Sequence, residues 1–212
     1  MPRRVILCSA MLLAFLLVAM SAQDKAPRTD AELKAMARIN QMGGLAIEIA
    51  QNDSRLDVSY QHVEKFSDDS LRLLKDLKDV VHLNLRGLGV TDSGLAHLSN
   101  LTSLTRLHLE QTKITDQGLA NLKGLVNLEY LNLYGTAITD VGLKHLEGMK
   151  KLKNLYLWQT KVSDAGIARL KKALPQVEIV RGLELEKPKI EKPKEEKKIE
   201  KKKADAKKTQ TK

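Results

Sequence analysis

Residues 77–172 repeat with a period of 24. Written in rows of that length they read LKDVVHLNLRGLGVTDSGLAHLSN, LTSLTRLHLEQTKITDQGLANLKG, LVNLEYLNLYGTAITDVGLKHLEG and MKKLKNLYLWQTKVSDAGIARLKK, one unit written four times without a gap. A unit this short cannot bury an apolar face by itself. It must stack on its neighbours, so a fixed period in this range specifies a solenoid.

Two periodicities occur inside each row. Leu83 and Leu85, Leu107 and Leu109, Leu131 and Leu133, and Leu155 and Leu157 alternate with polar or aromatic residues, which predicts a short strand with one buried face. Leu95 and Leu98, Leu119 and Leu122, Leu143 and Leu146, and Ile167 and Leu170 are three apart, which predicts one or two turns of helix with one inward side. Thr-Asp or Ser-Asp stands between strand and helix at 91/92, 115/116, 139/140 and 163/164. The hydroxyl suits a helix cap and the carboxylate suits the positive end of the helix dipole. Because every row carries this carboxylate at a helix start, it reads as structural and not as an acid pair or metal ligand. Gly94, Gly118, Gly142 and Gly166 recur in register and read as room for close packing between coils. Thr112, Thr136 and Thr160 follow the strands, where a hydroxyl would satisfy buried backbone groups of the turn.

The segment Leu104, Leu107, Leu109, Thr112 and Ile114 follows the pattern L-x-x-L-x-L-x-x-[N/T/C]-x-[L/I/V], by which the chain resembles the leucine-rich repeat family. The continuation TDxGLxxL is similar to the subtype of bacterial secreted proteins and of repeats beside F-box motifs in ubiquitin-ligase adaptors. Threonine stands where the family's asparagine ladder is usual, and Leu88 takes that place in the first row. The resemblance implies an α/β solenoid of about five to six coils, with parallel strands on a concave face and short helices on the convex face.

Five segments follow from the rest of the chain. Residues 1–22 join Arg3 and Arg4 to an apolar run shorter than a membrane span and end on Ser21 and Ala22, as a secretory signal peptide does, with an uncleaved anchor as the alternative. The single cysteine, Cys8, lies in that run, so the mature chain would hold no disulfide, thiolate nucleophile or cysteine metal site. Residues 23–29 are a polar linker. Residues 30–52 form an N-terminal cap: a helix opened by a capping box of Thr29 and Glu32, with Leu33, Met36, Ala37 and Ile39 as its apolar side and Gly43-Gly44 as its stop, then a strand over 45–50. Residues 53–182 hold the repeats. The first is degenerate, with Leu56 and Val58 as its strand pair about three residues farther from Asp68 than in later rows, and the last is a closing strand in which Val177 and either Ile179 or Val180 point inward. Residues 183–212 hold twelve lysines against seven acids and no aromatic residue, a composition expected to stay disordered.

The inward leucines hold the fold, so binding falls to the outward residues of the strands. In the second row these are Arg106, His108 and Glu110; in the third Tyr130, Asn132 and Tyr134; in the fourth Asn154, Tyr156 and Trp158. Alternation sets Trp158 across from Tyr134, and Tyr156 within diagonal reach of Tyr130. Cross-strand aromatics reinforce a sheet, yet grouped on an open face they are also the usual anchors of an interface. Together with Asn132, Asn154, Arg106, His108 and Glu110 they make the expected ligand face.

His82 and His108 are too far apart for shared metal coordination, no cofactor is indicated, and every candidate catalytic residue is explained by its place in the row, so no enzyme is expected. Nucleic acid is not expected either, since the basic tail lacks stacking residues. The expected function is a non-catalytic protein-binding module of the cell envelope or secreted space, its tail available to anionic polymer or a membrane surface. A binder of envelope polysaccharide is the first alternative. An F-box-like adaptor is the second, disfavoured because no F-box-like helix precedes the repeats.

Overall fold

A computed structural model describes residues 27–51 and 53–182. The signal-peptide reading of 1–22, most of the linker and the tail over 183–212 lie outside the described residues. Within them, helix α1 (Asp30–Gln41) precedes β1 (Leu45–Glu48) and β2 (Leu56–Ser59). The strands β3 (Val80–Asn84), β4 (Arg106–His108), β5 (Tyr130–Asn132), β6 (Asn154–Tyr156) and β7 (Glu178–Val180) follow, one per coil. Each of the three middle coils closes with a single α-turn, α2 (Asp92–Leu95), α3 (Asp116–Leu119) and α4 (Asp140–Leu143), that tightens into a 3₁₀ turn. The last closes with the longer α5 (Asp164–Ala173), and the first with a 3₁₀ helix, Asp68–Asp76. The seven strands form one sheet in chain order, antiparallel between β1 and β2 and parallel from β2 to β7. This is the leucine-rich repeat solenoid, with five coils and a closing strand.

The register is one unit per strand: Leu83, Leu107, Leu131, Leu155 and Ile179 stand in line. The four leucines of that line are all but fully buried, as are Leu95, Leu98, Leu119, Leu122, Leu143 and Leu146 from the opposite side. The core is therefore a continuous seam between the inner sheet face and the short helices. Closing the seam, Ile179 falls in the inward line with Leu155, and Val180 pairs with Tyr156 on the outer side, which settles the orientation of the last strand. The hydroxyls of Thr112, Thr136 and Thr160 donate to the carbonyls of Leu109, Leu133 and Leu157 at 2.8, 2.6 and 2.7 Å. Just past β3, β4, β5 and β6 the chain swings out through positive φ at Gly87, Gln111, Gly135 and Gln159. Two of these are glutamines, in a region that favours glycine, so the turn is imposed by the coil and not by local preference.

Three readings are corrected by the packing. The buried side of α1 is Glu32, Ala35 and Ile39, with Met36 partly covered, while Leu33 is 52% exposed. The capping box explains the rotation. Glu32 receives the backbone N–H of Thr29 at 2.9 Å, and its other oxygen receives that of Lys78, so the carboxylate faces the first coil and carries the face with it. In the first coil the offset is one residue and not three: Val58 pairs with Leu83, and a bulge at Leu56/Asp57 absorbs the difference. Tyr60 then fills the place of Leu85, fully buried, with its hydroxyl donating to the Ser70 carbonyl at 3.2 Å.

The third correction concerns the recurring aspartates. Each reaches into the following coil: Asp68 receives the N–H and hydroxyl of Thr91, Asp92 those of Thr115, Asp116 those of Thr139, and Asp140 those of Ser163, at 2.5–3.1 Å. The recurring glycines make room for these carboxylates. A Cβ on Gly94, Gly118, Gly142 or Gly166 would lie 2.2–2.4 Å from the Oδ1 of the preceding coil's aspartate. The TDxGL motif is thus one latch shared by two coils. At the last coil Asp164 has no threonine ahead of it, and Arg181 donates to it instead.

Candidate binding face

The outward residues of the strands form three lines across the sheet. Register puts Arg106, Tyr130 and Asn154 in the first, and His108, Asn132 and Tyr156 in the second. The third follows from backbone bonds just past the strands, where Gln111 N–H donates to the Tyr134 carbonyl and Gly135 N–H to that of Trp158. It contains Glu110, Tyr134 and Trp158. Register therefore puts the nine residues singled out in the sequence on one side of the sheet.

The rings on this surface touch. Tyr134 and Trp158 stack with centroids 5.1 Å apart and planes 22° from parallel. Tyr130 meets Tyr156 at 5.2 Å and His108 at 4.9 Å, both tilted, and the Arg106 guanidinium lies over the Tyr130 ring at 5.2 Å. Contacts of this kind contribute about 0.5–1.5 kcal/mol each beyond area burial. Trp158 nevertheless remains 50% exposed, so the stack is open to solvent. Burial pushes the Tyr130 hydroxyl above its ordinary value, against the Asn132 amide that donates to it at 3.3 Å and with the Glu110 charge adding to the rise. It is a neutral hydroxyl at any physiological pH.

Glu110 departs from its expected setting. Alternation places it on the open face, yet its side chain is only 6% exposed. The cause is His108, two residues back on the same face, whose Nδ1 lies 2.8 Å from Glu110 Oε1 and draws the carboxylate along the strand. The other oxygen, Oε2, is buried with no hydrogen-bond partner, the only such side-chain atom among the described residues. His82 is held the same way, its Nδ1 3.2 Å from Asp57 Oδ2. The two histidines are thus each turned to a carboxylate of their own, and no group of three metal-ligating side chains occurs among the described residues.

Beside the first line a groove of about 420 Å³ is lined by Arg55, His82, Arg106, Glu129, Tyr130 and Lys153, among others. Its charges are largely matched: Arg55 pairs with Asp53 and Lys153 with Glu129, both at 2.7 Å. The Arg106–Tyr130–His108–Glu110 chain was not foreseen in the sequence, although three of its members are spaced by two along one row. No helix among the described residues is long and apolar enough to cross a membrane.

Comparison with known proteins places these observations. The family model described as leucine rich repeat matches residues 102–162. Among solved structures, the chain is similar to an internalin C2 from Listeria monocytogenes at 20% identity and a TM-score of 0.41, covering 61% of this chain and 70% of that one. An internalin of the same organism matches at 24% identity and 0.40, covering 72% of this chain and 49% of its own, so the chain spans about half of that protein. The tropomodulin C-terminal domain of Caenorhabditis elegans matches at 16% identity and 0.44, covering 70% and 93%. No curated protein matches the chain.

Proposed function

We infer, from a chain that carries leucine-rich repeats, a fold that is generally a non-catalytic protein-interaction framework, that this protein binds a protein partner through the outward face of its sheet. The observation that carries the reading is the ring cluster of Tyr130, Tyr134, Tyr156 and Trp158, packed ring to ring on adjacent strands while Trp158 stays half exposed. Tyrosine and tryptophan held rigid by their neighbours bind at small entropic cost and dominate the energetics of protein interfaces. The leading residues 1–22, basic and then apolar, support a secreted or periplasmic setting, and the basic residues 183–212 are available for anionic polymer or membrane surfaces.

The test is affinity capture from envelope extract with the full chain, with a variant carrying Tyr134→Ala, Tyr156→Ala and Trp158→Ala, and with a helical-side control, Val141→Ala. Val141 is 56% exposed on the far side of the coil. The reading expects the same partner with wild type and control and its loss from the aromatic variant. Retention by a folded aromatic variant overturns it.

A further inference from the structure

We infer that the Arg106 guanidinium pairs with a carboxylate of the protein partner, an aspartate or glutamate side chain seated in the groove beside the ring cluster. The inference rests on the sheet face being the partner site and specifies one contact that site makes.

Most basic side chains along this side of the sheet have a partner within the chain. Arg55 forks onto Asp53, Lys153 donates to Glu129, and His82 and His108 each turn to a carboxylate of their own. Arg86 and Arg106 have no carboxylate within ion-pair distance among the described residues. Both are exposed, but only Arg106 is held in place. Its guanidinium lies over the Tyr130 ring, which packs in turn against His108 on one neighbouring strand and Tyr156 on the other. A guanidinium laid on a ring keeps its edge, and the N–H donors along it, free for a planar acceptor. The Arg106 side chain gives those donors to no described residue.

The groove of about 420 Å³ gives such an acceptor access, since Arg106 and Tyr130 line it together with Thr105, Glu129, Lys153 and Asn154. Its other donors are engaged: the Thr105 hydroxyl with the Val81 carbonyl at 3.0 Å, Lys153 Nζ with Glu129 at 2.7 Å and the Asn154 amide with Glu178 at 3.4 Å. What is left unmatched is one forked cation, and its complement is one forked anion of single charge. A carboxylate meets both conditions, its two oxygens receiving two parallel N–H bonds. A dianionic phosphate would set its second charge against the Glu129 carboxylate in the same groove. A neutral side chain would leave the guanidinium unpaired as the partner closes over the groove and displaces its water. Because the Tyr130 ring already orders Arg106, pairing costs little further conformational entropy.

The probe is the partner isolated by capture from envelope extract, its affinity for the full chain measured at equilibrium in about 0.1 M salt. Arg106→Gln should weaken binding about tenfold with Tm unchanged, and Arg86→Gln, the same change of charge at the other unpaired arginine, should leave it within about twofold. Arg106→Lys sets an amine in the groove. Carbodiimide, which condenses an amine with a carboxylate beside it, should then join residue 106 to one aspartate or glutamate of the partner, identified by mass spectrometry of the linked peptides. Converting that partner residue to its amide should weaken binding to wild type about tenfold and leave binding to Arg106→Gln unchanged. Equal losses with Arg106→Gln and Arg86→Gln, additive losses across the pair, or a cross-link formed only within the chain or to a chain terminus overturns the inference. Partner binding lost on aromatic replacement but kept by Arg106→Gln removes the carboxylate contact alone. Binding unaffected by aromatic replacement, or no partner captured by the full chain, removes the sheet-face reading and this contact with it.

Discussion

A single methyl group tests the latch between coils. The three atoms nearest to a Cβ on Gly166 would all belong to the Asp140 carboxylate, Oδ1 at 2.2 Å, Cγ at 2.5 Å and Oδ2 at 3.1 Å. Ordinary contact needs about 3.4 Å or more, so Gly166→Ala must push the carboxylate away by about 1 Å. That displaces the bonds Asp140 receives from the Ser163 N–H and hydroxyl at 2.8 and 2.5 Å. Two such bonds at a partly exposed site are worth together about 1–3 kcal/mol. Against this, alanine is a better helix residue than glycine by about 1 kcal/mol. Gly166→Ala should therefore destabilise the protein by roughly 1 kcal/mol, as the difference of the two terms. In an Asp140→Ala background those three atoms are gone, so the same substitution should become neutral or stabilising by up to about 1 kcal/mol through the helix term. Urea unfolding of wild type, both single variants and the double variant gives the four free energies of the cycle. A change of sign supports the latch. Equal effects of Gly166→Ala in both backgrounds would refute it.

Three further outcomes follow from the same packing. The carboxyls of Glu32, Asp68 and Asp140 are held below their ordinary values: Glu32 chiefly by the Thr29 N–H, Asp140 chiefly by the Ser163 hydroxyl, and Asp68 by hydrogen bonds from Thr91 and Ser93 that outweigh the upward push of burial. A depressed folded value contributes stability above the unfolded value of about 4 that is lost as pH falls through the folded one, so urea midpoints should be flat above about pH 5 and decline below about pH 4. Leu131→Ala empties a fully buried place in the central coil and should cost about 2–5 kcal/mol in urea unfolding. Tyr60→Phe leaves the Ser70 carbonyl without its donor and should cost about 1 kcal/mol, measurable the same way.

What could be read from the sequence was whatever lies within one repeat. The leucine pairs alternate by two and then step by three inside each 24-residue row, and those local spacings are enough to place strand, helix and core. The latch was not legible because its partners are 23 residues apart in neighbouring coils. Within a row, aspartate after threonine looks like a helix start, and only stacking shows the carboxylate leaving for the next coil. The face of α1 was misjudged because Glu32 counts as polar in any pattern, whereas the capping box and Lys78 N–H make its burial inexpensive. The outward residues were legible by alternation, and the ring contacts between adjacent strands followed from the period itself. The burial of Glu110 did not, because it depends on which rotamer His108 draws it into.

The most direct measurement of the central claim is the equilibrium affinity of the captured partner for the full chain and for two variants. One carries Tyr134→Ala, Tyr156→Ala and Trp158→Ala on the sheet face, and the other Val141→Ala and His145→Ala on the helical side. Loss of binding energy at aromatic anchors predicts at least tenfold weaker binding for the first and wild-type binding for the second, about 1.4 kcal/mol or more apart. Equal affinities, or a loss confined to the helical-side variant, would contradict binding through the sheet face.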